Sequence, residues 1–146
     1  MRKLTLLFIA IVLAACSMVQ SEIQRNWQKW QDAKISHYRY NLSVGCFCEL
    51  NPDMPLVIEV KNDQVVSMEY QSGKQLDAND RELFEKYATI DGIFSELDAN
   101  ILGKADEVVT TYDPTYGFPA KVNADFIKEA IDDERTLMVS NFVKLP

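Results

Sequence analysis

His37-Tyr38-Arg39-Tyr40-Asn41-Leu42-Ser43-Val44-Gly45-Cys46-Phe47-Cys48 is the stretch on which the fold turns. Tyr38, Tyr40, Leu42, Val44, Cys46 and Cys48 fall on one side of an extended chain. Arg39, Asn41, Ser43 and Phe47 fall on the other. Side chains alternate across a strand, so this period of two describes a long strand buried on one face only. Gly45 within it predicts a bulge. A strand of this kind requires a sheet with one covered face, and the flanking segments supply both sheet and cover.

On the C-terminal side, Asn51-Pro52 opens a loop that ends near Pro55. Leu56, Ile58 and Val60 then alternate, and Val66, Met68 and Tyr70 form a return strand. Between them Asn62-Asp63 suits a tight hairpin turn, because both residues tolerate positive φ. On the N-terminal side, Ser21 and Gln24 have the spacing of a capping box. Ile23, Trp27, Trp30 and Ala33 share one helical face, and the plainer reading of that stripe is core. Residues Gln71 to Thr89 are the least patterned, with room for a short helix near Arg81–Tyr87. Asp91 suits an N-cap, Ile93, Phe94, Leu97 and Ile101 form an apolar face, and Gly103 suits the end of that helix. Val108, Thr110 and Tyr112 alternate again. Asp113-Pro114-Thr115-Tyr116-Gly117 reads as a type I turn with glycine in the left-handed region, and Phe118, Ala120 and Val122 return. Thr136–Val143 is the last strand. The order predicts an α+β fold: an antiparallel sheet of about six strands, with two main helices on one face. Helix and three strands recur, which makes a tandem helix-plus-three-strands repeat a candidate.

The N-terminus carries Arg2-Lys3, an apolar run from Leu4 to Leu13, and Ala14-Ala15-Cys16. This is the layout of a secretory signal peptide, and its run is shorter than the roughly 20 apolar residues a spanning helix needs. Small residues directly before a cysteine resemble a bacterial lipobox, in which cleavage precedes Cys16 and that residue is lipidated. The expected organisation is signal peptide 1–15, lipidated N-terminus and tether 16–21, and a single α+β domain 22–146. Ser17 in place of aspartate resembles an outer-membrane address on the periplasmic face in a Gram-negative host. In a Gram-positive host the anchor lies on the outer face of the cell membrane.

The chain of 146 residues is 47% hydrophobic and 25% charged, as ordinary globular domains are. Its formal net charge is −7. An acidic body does not track a phosphate backbone, so nucleic acid is not an expected partner. Anionic headgroups also repel it, which leaves attachment to acyl chains, more than one of them.

Chemistry-bearing residues are few. Cys46 and Cys48 leave the same face of a strand with Cα atoms roughly 6.5 Å apart, at the long end of disulfide geometry. One reading is a disulfide closing a very small loop, suited to an oxidising compartment. Another is a pair of buried small hydrophobes. A third is a redox pair or a soft-metal site. His37 is the single histidine, and no nucleophile motif accompanies it. Asp125, Asp132, Asp133 and Glu134 crowd one loop region, with Asp113 a potential neighbour, but lack calcium-loop spacing. No catalytic residue, metal site or cofactor is therefore assigned. Tyr116 and Phe118 at the hairpin, and Phe47 on the polar side of its strand, are interface candidates, since aromatics on rigid turns make strong contacts. For the hairpin aromatics, packing within the turn is the equal alternative.

Five motifs in order carry a resemblance. They are Tyr38-Arg39-Tyr40 with Cys46-Phe47-Cys48, Ile90-Asp91-Gly92-Ile93-Phe94, Tyr112-Asp113-Pro114-Thr115-Tyr116-Gly117-Phe118-Pro119, Ile131-Asp132-Asp133-Glu134, and Val139-Ser140-Asn141-Phe142. Over residues 25–142 the chain resembles the bacterial proteins grouped as domain of unknown function 6174. Asn141 stands where aspartate would be expected. The resemblance implies an exported protein, often a lipoprotein, and no activity. The resulting expectation is a membrane-anchored envelope lipoprotein, not an enzyme, serving as a binding or structural module with an envelope protein as partner. At fold level the tandem units are similar to β-lactamase-inhibitory proteins. The alternatives are a thiol-redox protein using Cys46 and Cys48, and a small-ligand carrier with a pocket of Trp27, Trp30, Tyr38 and Tyr40. The disulfide reading predicts that Cys46 and Cys48 in acid-quenched cells resist alkylation until reduced, and gain two alkyl groups by mass afterwards. Fast alkylation without reductant points to the redox reading.

Overall fold

The computed structural model describes residues 22–46, 53–130 and 133–146. The signal segment, Cys16, the tether, Phe47 and Cys48 lie outside the described residues.

The first helix, α1, spans residues 22–32. Strands β1 (His37–Cys46), β2 (Leu56–Lys61) and β3 (Gln64–Tyr70) follow. Helices α2 (Ala78–Glu85) and α3 (Ile90–Glu96) come next, and α3 runs into a π-helical turn, Leu97–Ile101. Strands β4 (Glu107–Tyr112), β5 (Pro119–Asp125) and β6 (Arg135–Lys144) close the chain. All six strands form one antiparallel sheet in the order β3-β2-β1-β6-β5-β4. The fold is α+β, as the periodicities predict. Each half is a three-strand meander behind helical chain, and the halves join where β1 pairs with β6.

The alternation of β1 is realised. Tyr38, Tyr40 and Leu42 are buried to 1% exposure or less, while Arg39 is exposed. Directly opposite residues share a face, so the buried row continues through Val60, Ile58 and Leu56 into Met68 and Tyr70. On the other side it continues through Val139 and Leu137 to Val122. The helices cover this face. Trp30 of α1 is 4% exposed and meets Tyr38, Phe142 and Phe118 edge-on at 5.4, 5.9 and 6.2 Å. Two hydroxyls join the layers: Tyr40 Oη donates to the Tyr87 carbonyl at 2.7 Å, and Tyr38 Oη accepts from the Ile90 amide at 3.1 Å. Ile90 is the first residue of α3, where the helix itself supplies no acceptor.

Several local expectations are corrected. The bulge is not at Gly45, which pairs regularly with Thr136. Arg39 pairs with Val143 and Asn41 with Ser140, so Asn141 and Phe142 together face Tyr40. Asn141 takes φ +51, a conformation asparagine tolerates better than most residues. In β3, Val66 is 59% exposed instead of inward. Glu59 pairs with Ser67 and Val60 with Val65, so Val66 is the extra residue of a second bulge. The helix expected near Arg81–Tyr87 begins earlier, because Asp77 caps it by accepting from the Asp80 amide at 2.9 Å. Thr89, not Asp91, caps α3: its hydroxyl accepts from the Gly92 amide at 2.9 Å.

The turns hold as read. Asn62 and Asp63 have φ of 51° and 61°, and the Gly117 amide bonds the Asp113 carbonyl at 2.9 Å. Gly103 and Gly117 both have φ near +83°, at +83° and +82°. They differ in surroundings. A Cβ at Gly103 meets nothing within 4 Å, whereas one at Gly117 stands 2.7 Å from the Asn26 carbonyl oxygen of α1. Gly103→Ala is therefore expected to lose about 1–2 kcal/mol, the left-handed penalty alone. Gly117→Ala is expected to lose clearly more, because α1 must also move. Urea midpoints of the two variants, at constant slope, measure the difference.

Candidate functional site

α1 is held from both sides. Lys29 Nζ donates to the Pro114 carbonyl, and Gly117 packs under Asn26 and Lys29. On the other side, Asp91 of α3 accepts from Gln31 Nε2 at 2.8 Å and from the Trp30 indole N–H at 3.5 Å. This is what Asp91 does in place of capping. These contacts fix the far half of α1 against α3, and the near half borders an open space. A groove of about 240 Å³ opens there, lined by Ile23, Gln24 and Trp27 of α1 and by Phe94, Ser95 and Asp98. Its floor is apolar: Ile23 and Phe94 are each 4% exposed, and Trp27 meets Phe94 edge-on at 4.9 Å. Gln24, Ser95 and Asp98 give the rim hydrogen-bonding groups. Behind the floor, Phe94 stacks on Tyr112 at 6.5 Å.

The residues marked in the sequence divide accordingly. Trp30, Tyr38 and Tyr40 are core residues and are not among those that line this groove. They pack on one another, Tyr38 on Tyr40 at 6.0 Å, and only Trp27 of that proposed set reaches an open groove. Phe118 is a core residue, 3% exposed and 4.7 Å from Phe142, so it presents no surface to a partner. Tyr116 is half-buried and leans on Phe142 at 5.6 Å. The hairpin aromatics thus serve turn packing. Cys46 is the last residue of β1 and pairs with Arg135. His37 bridges Glu59 at 2.9 Å and the Pro146 carbonyl at 2.8 Å, a tie between chain segments. Of the acidic loop, Asp132 lies outside the described residues. Asp125 Oδ1 and both carboxylate oxygens of Asp133 are buried with no partner among the described residues. No group of three or more potential metal ligands is found among those residues.

Sequence reasoning missed Ser95 and Asp98, and marked Gln24 only as the capping-box partner of Ser21, which lies outside the described residues. Nothing in their types marks them, because the groove arises from the spacing of two helices far apart in the chain. Phe94 was visible only as one member of an apolar face.

The family described as "Family of unknown function (DUF6174)" matches residues 22–144. The chain belongs to this family. The match takes in every strand and helix of the described residues and both walls of the groove. No curated protein and no solved structure matches the chain.

Ionisation of Tyr112, Tyr38 and Tyr40 is disfavoured. Burial, reinforced by the negative charge of Glu22, pushes the Tyr112 hydroxyl up to about 12. Burial likewise raises Tyr38 and Tyr40. An unfolded tyrosine titrates near pH 10, so the folded state holds its protons more tightly between the two values. The stability from the neutral Tyr112 hydroxyl is complete below about pH 10 and is lost as pH rises through about 12. Unfolding free energy is expected to fall across pH 10–12, in step with tyrosinate absorbance, and Tyr112→Phe is expected to make the fall shallower.

Proposed function

We propose that this DUF6174 member is a membrane-anchored envelope lipoprotein that acts as a non-catalytic binding module. In this reading the chain is cut before Cys16, Cys16 carries the acyl chains, and Cys46 and Cys48 form a small disulfide staple. The groove between α1 and α3 is the binding site. Its occupant is one apolar side chain of an envelope protein, seated against Trp27 and Phe94 and edged by hydrogen bonds from the rim.

The observation that carries this is the position of the groove. It lies at the start of α1, and α1 begins six residues after Cys16. Ser17 to Gln20 reaches roughly 15 Å when extended. The anchor would hold the groove close to the membrane surface, among proteins confined to the same layer. Confinement raises the effective concentration of such partners, so a shallow site suffices for occupancy. Aromatic floors with polar rims are the usual anatomy of the residues that dominate binding.

The full-length chain is expected to incorporate labelled palmitate and to fractionate with membranes, and Cys16→Ala to do neither. A photocrosslinking residue at position 24 in the anchored protein is expected to give one discrete envelope-protein adduct that Trp27→Ala abolishes while circular dichroism stays unchanged. Absence of lipid on Cys16 removes the anchoring. An adduct indifferent to Trp27 removes the groove.

A further inference from the structure

The sheet has two edge strands, and they are treated differently. The outer side of β3 is guarded. The bulge at Val66 breaks its regularity, Gln75 forms a bridge to Glu69, and the Tyr70 amide is taken by the Lys74 carbonyl at 3.0 Å. These are the devices by which natural sheets avoid pairing with other strands.

β4 has none of them. It reads Glu107-Val108-Val109-Thr110-Thr111-Tyr112: four β-branched residues in a row, no proline, no lysine. The irregularity beside it falls on its neighbour, because Thr111 pairs with Lys121 and Tyr112 with Pro119, leaving Ala120 of β5 as the extra residue. β4 itself stays regular. No strand lies beyond it among the described residues. Alternate amides and carbonyls of such a strand point outward and want partners. Val109 is 53% exposed on the face away from the helices.

We infer that β4 pairs antiparallel with β4 of a second copy of this chain, joining two six-stranded sheets edge to edge. Symmetry restricts the register. The two-fold axis of such a pair stands perpendicular to the sheet, so each face meets its own kind and the axis must pass beside one residue and its copy. With Val109 at the axis, Val109 faces Val109, Val108 faces Thr110, and Glu107 faces Thr111. No like charges oppose, and β-branched pairs fill the seam. Moving the axis to Thr110 sets Glu107 against Asp113, a repulsive pair. The same axis keeps both α1 helices on one side of the joined sheet. If the chain is anchored as proposed above, both tethers then leave toward one membrane. The pairing itself rests on the strand alone, and its test needs no anchor.

Each copy carries a formal net charge of −7. Two acidic bodies repel over a distance that salt shortens, from a screening length of about 30 Å at 0.01 M to about 8 Å at 0.15 M. Association should therefore strengthen with salt, the reverse of a contact made by ion pairs.

The experiment uses the full-length chain in detergent, with Val109→Cys and Thr111→Cys compared under mild oxidation. Thr111 shares the strand and the face of Val109 but stands two residues off the axis, roughly 13 Å from its copy at about 3.3 Å per residue. Val109→Cys is expected to give a disulfide-linked dimer, with Thr111→Cys and the parent chain giving little. Sedimentation velocity is expected to show the parent dimer growing with salt, and Val109→Lys monomeric with an unchanged melting temperature. Equal crosslinking at both positions, or a parent chain monomeric at every concentration and salt, overturns the proposal. Crosslinking of Val109→Cys in cells to a different protein instead of itself also overturns it, and assigns the edge to a foreign strand.

Discussion

Two tyrosine hydroxyls bind the layers of this protein together. Tyr38 and Tyr40 are consecutive inward residues of the central strand, so their rings stand side by side on the covered face. Both hydroxyls end at backbone groups of the helical layer, one accepting the first amide of α3 and the other donating to the carbonyl of Tyr87. Each bond satisfies a group that burial would otherwise leave unpaired, at a penalty of about 1–3 kcal/mol. The rest of the helical layer is placed by this. With the start of α3 fixed over β1, Asp91 comes within reach of Trp30 and Gln31, and α1 is drawn against α3 along its second half.

The groove lies at the other end of α1 from that attachment. Hydrogen bonds donated by Trp30 and Gln31 to Asp91 close the helices together near Trp30, and hairpin contacts hold α1 on its other side. Trp27 and Phe94 meet edge-on at the boundary between the closed half and the open half.

What was legible in the sequence follows from locality. The strands could be read because alternation repeats within a few residues, and Leu56-Ile58-Val60 or Tyr38-Tyr40-Leu42 leave little choice of face. The turns could be read because Asn62-Asp63 and Asp113 to Gly117 carry their backbone preferences themselves. The bulges could not. Whether Val66 faces inward depends on which residue of β2 it meets, and Gly45 offered a false cue while Asn141 supplied the real irregularity. The N-cap of α3 was misplaced because Thr89 and Asp91 are both competent, and the tie from α1 decides between them. The aromatic set was read as either core or pocket, and three of its members proved to be core. The groove itself was invisible, since its walls come from segments about seventy residues apart and its rim is made of ordinary polar residues.

The strand order has a bearing on how the molecule comes into being. The central seam of the sheet joins β1, near the start of the domain, to β6, at its end. As the chain emerges residue by residue, from a ribosome or through a translocation channel, the first meander must wait with the inner edge of β1 unpaired until almost everything else has appeared. In the sheet, the two halves meet only through this β1–β6 pair. Closure of the sheet thus waits for the last strand, and a chain cut short before β6 leaves the inner edge of β1, the middle of the finished sheet, open to pairing with whatever strand comes near.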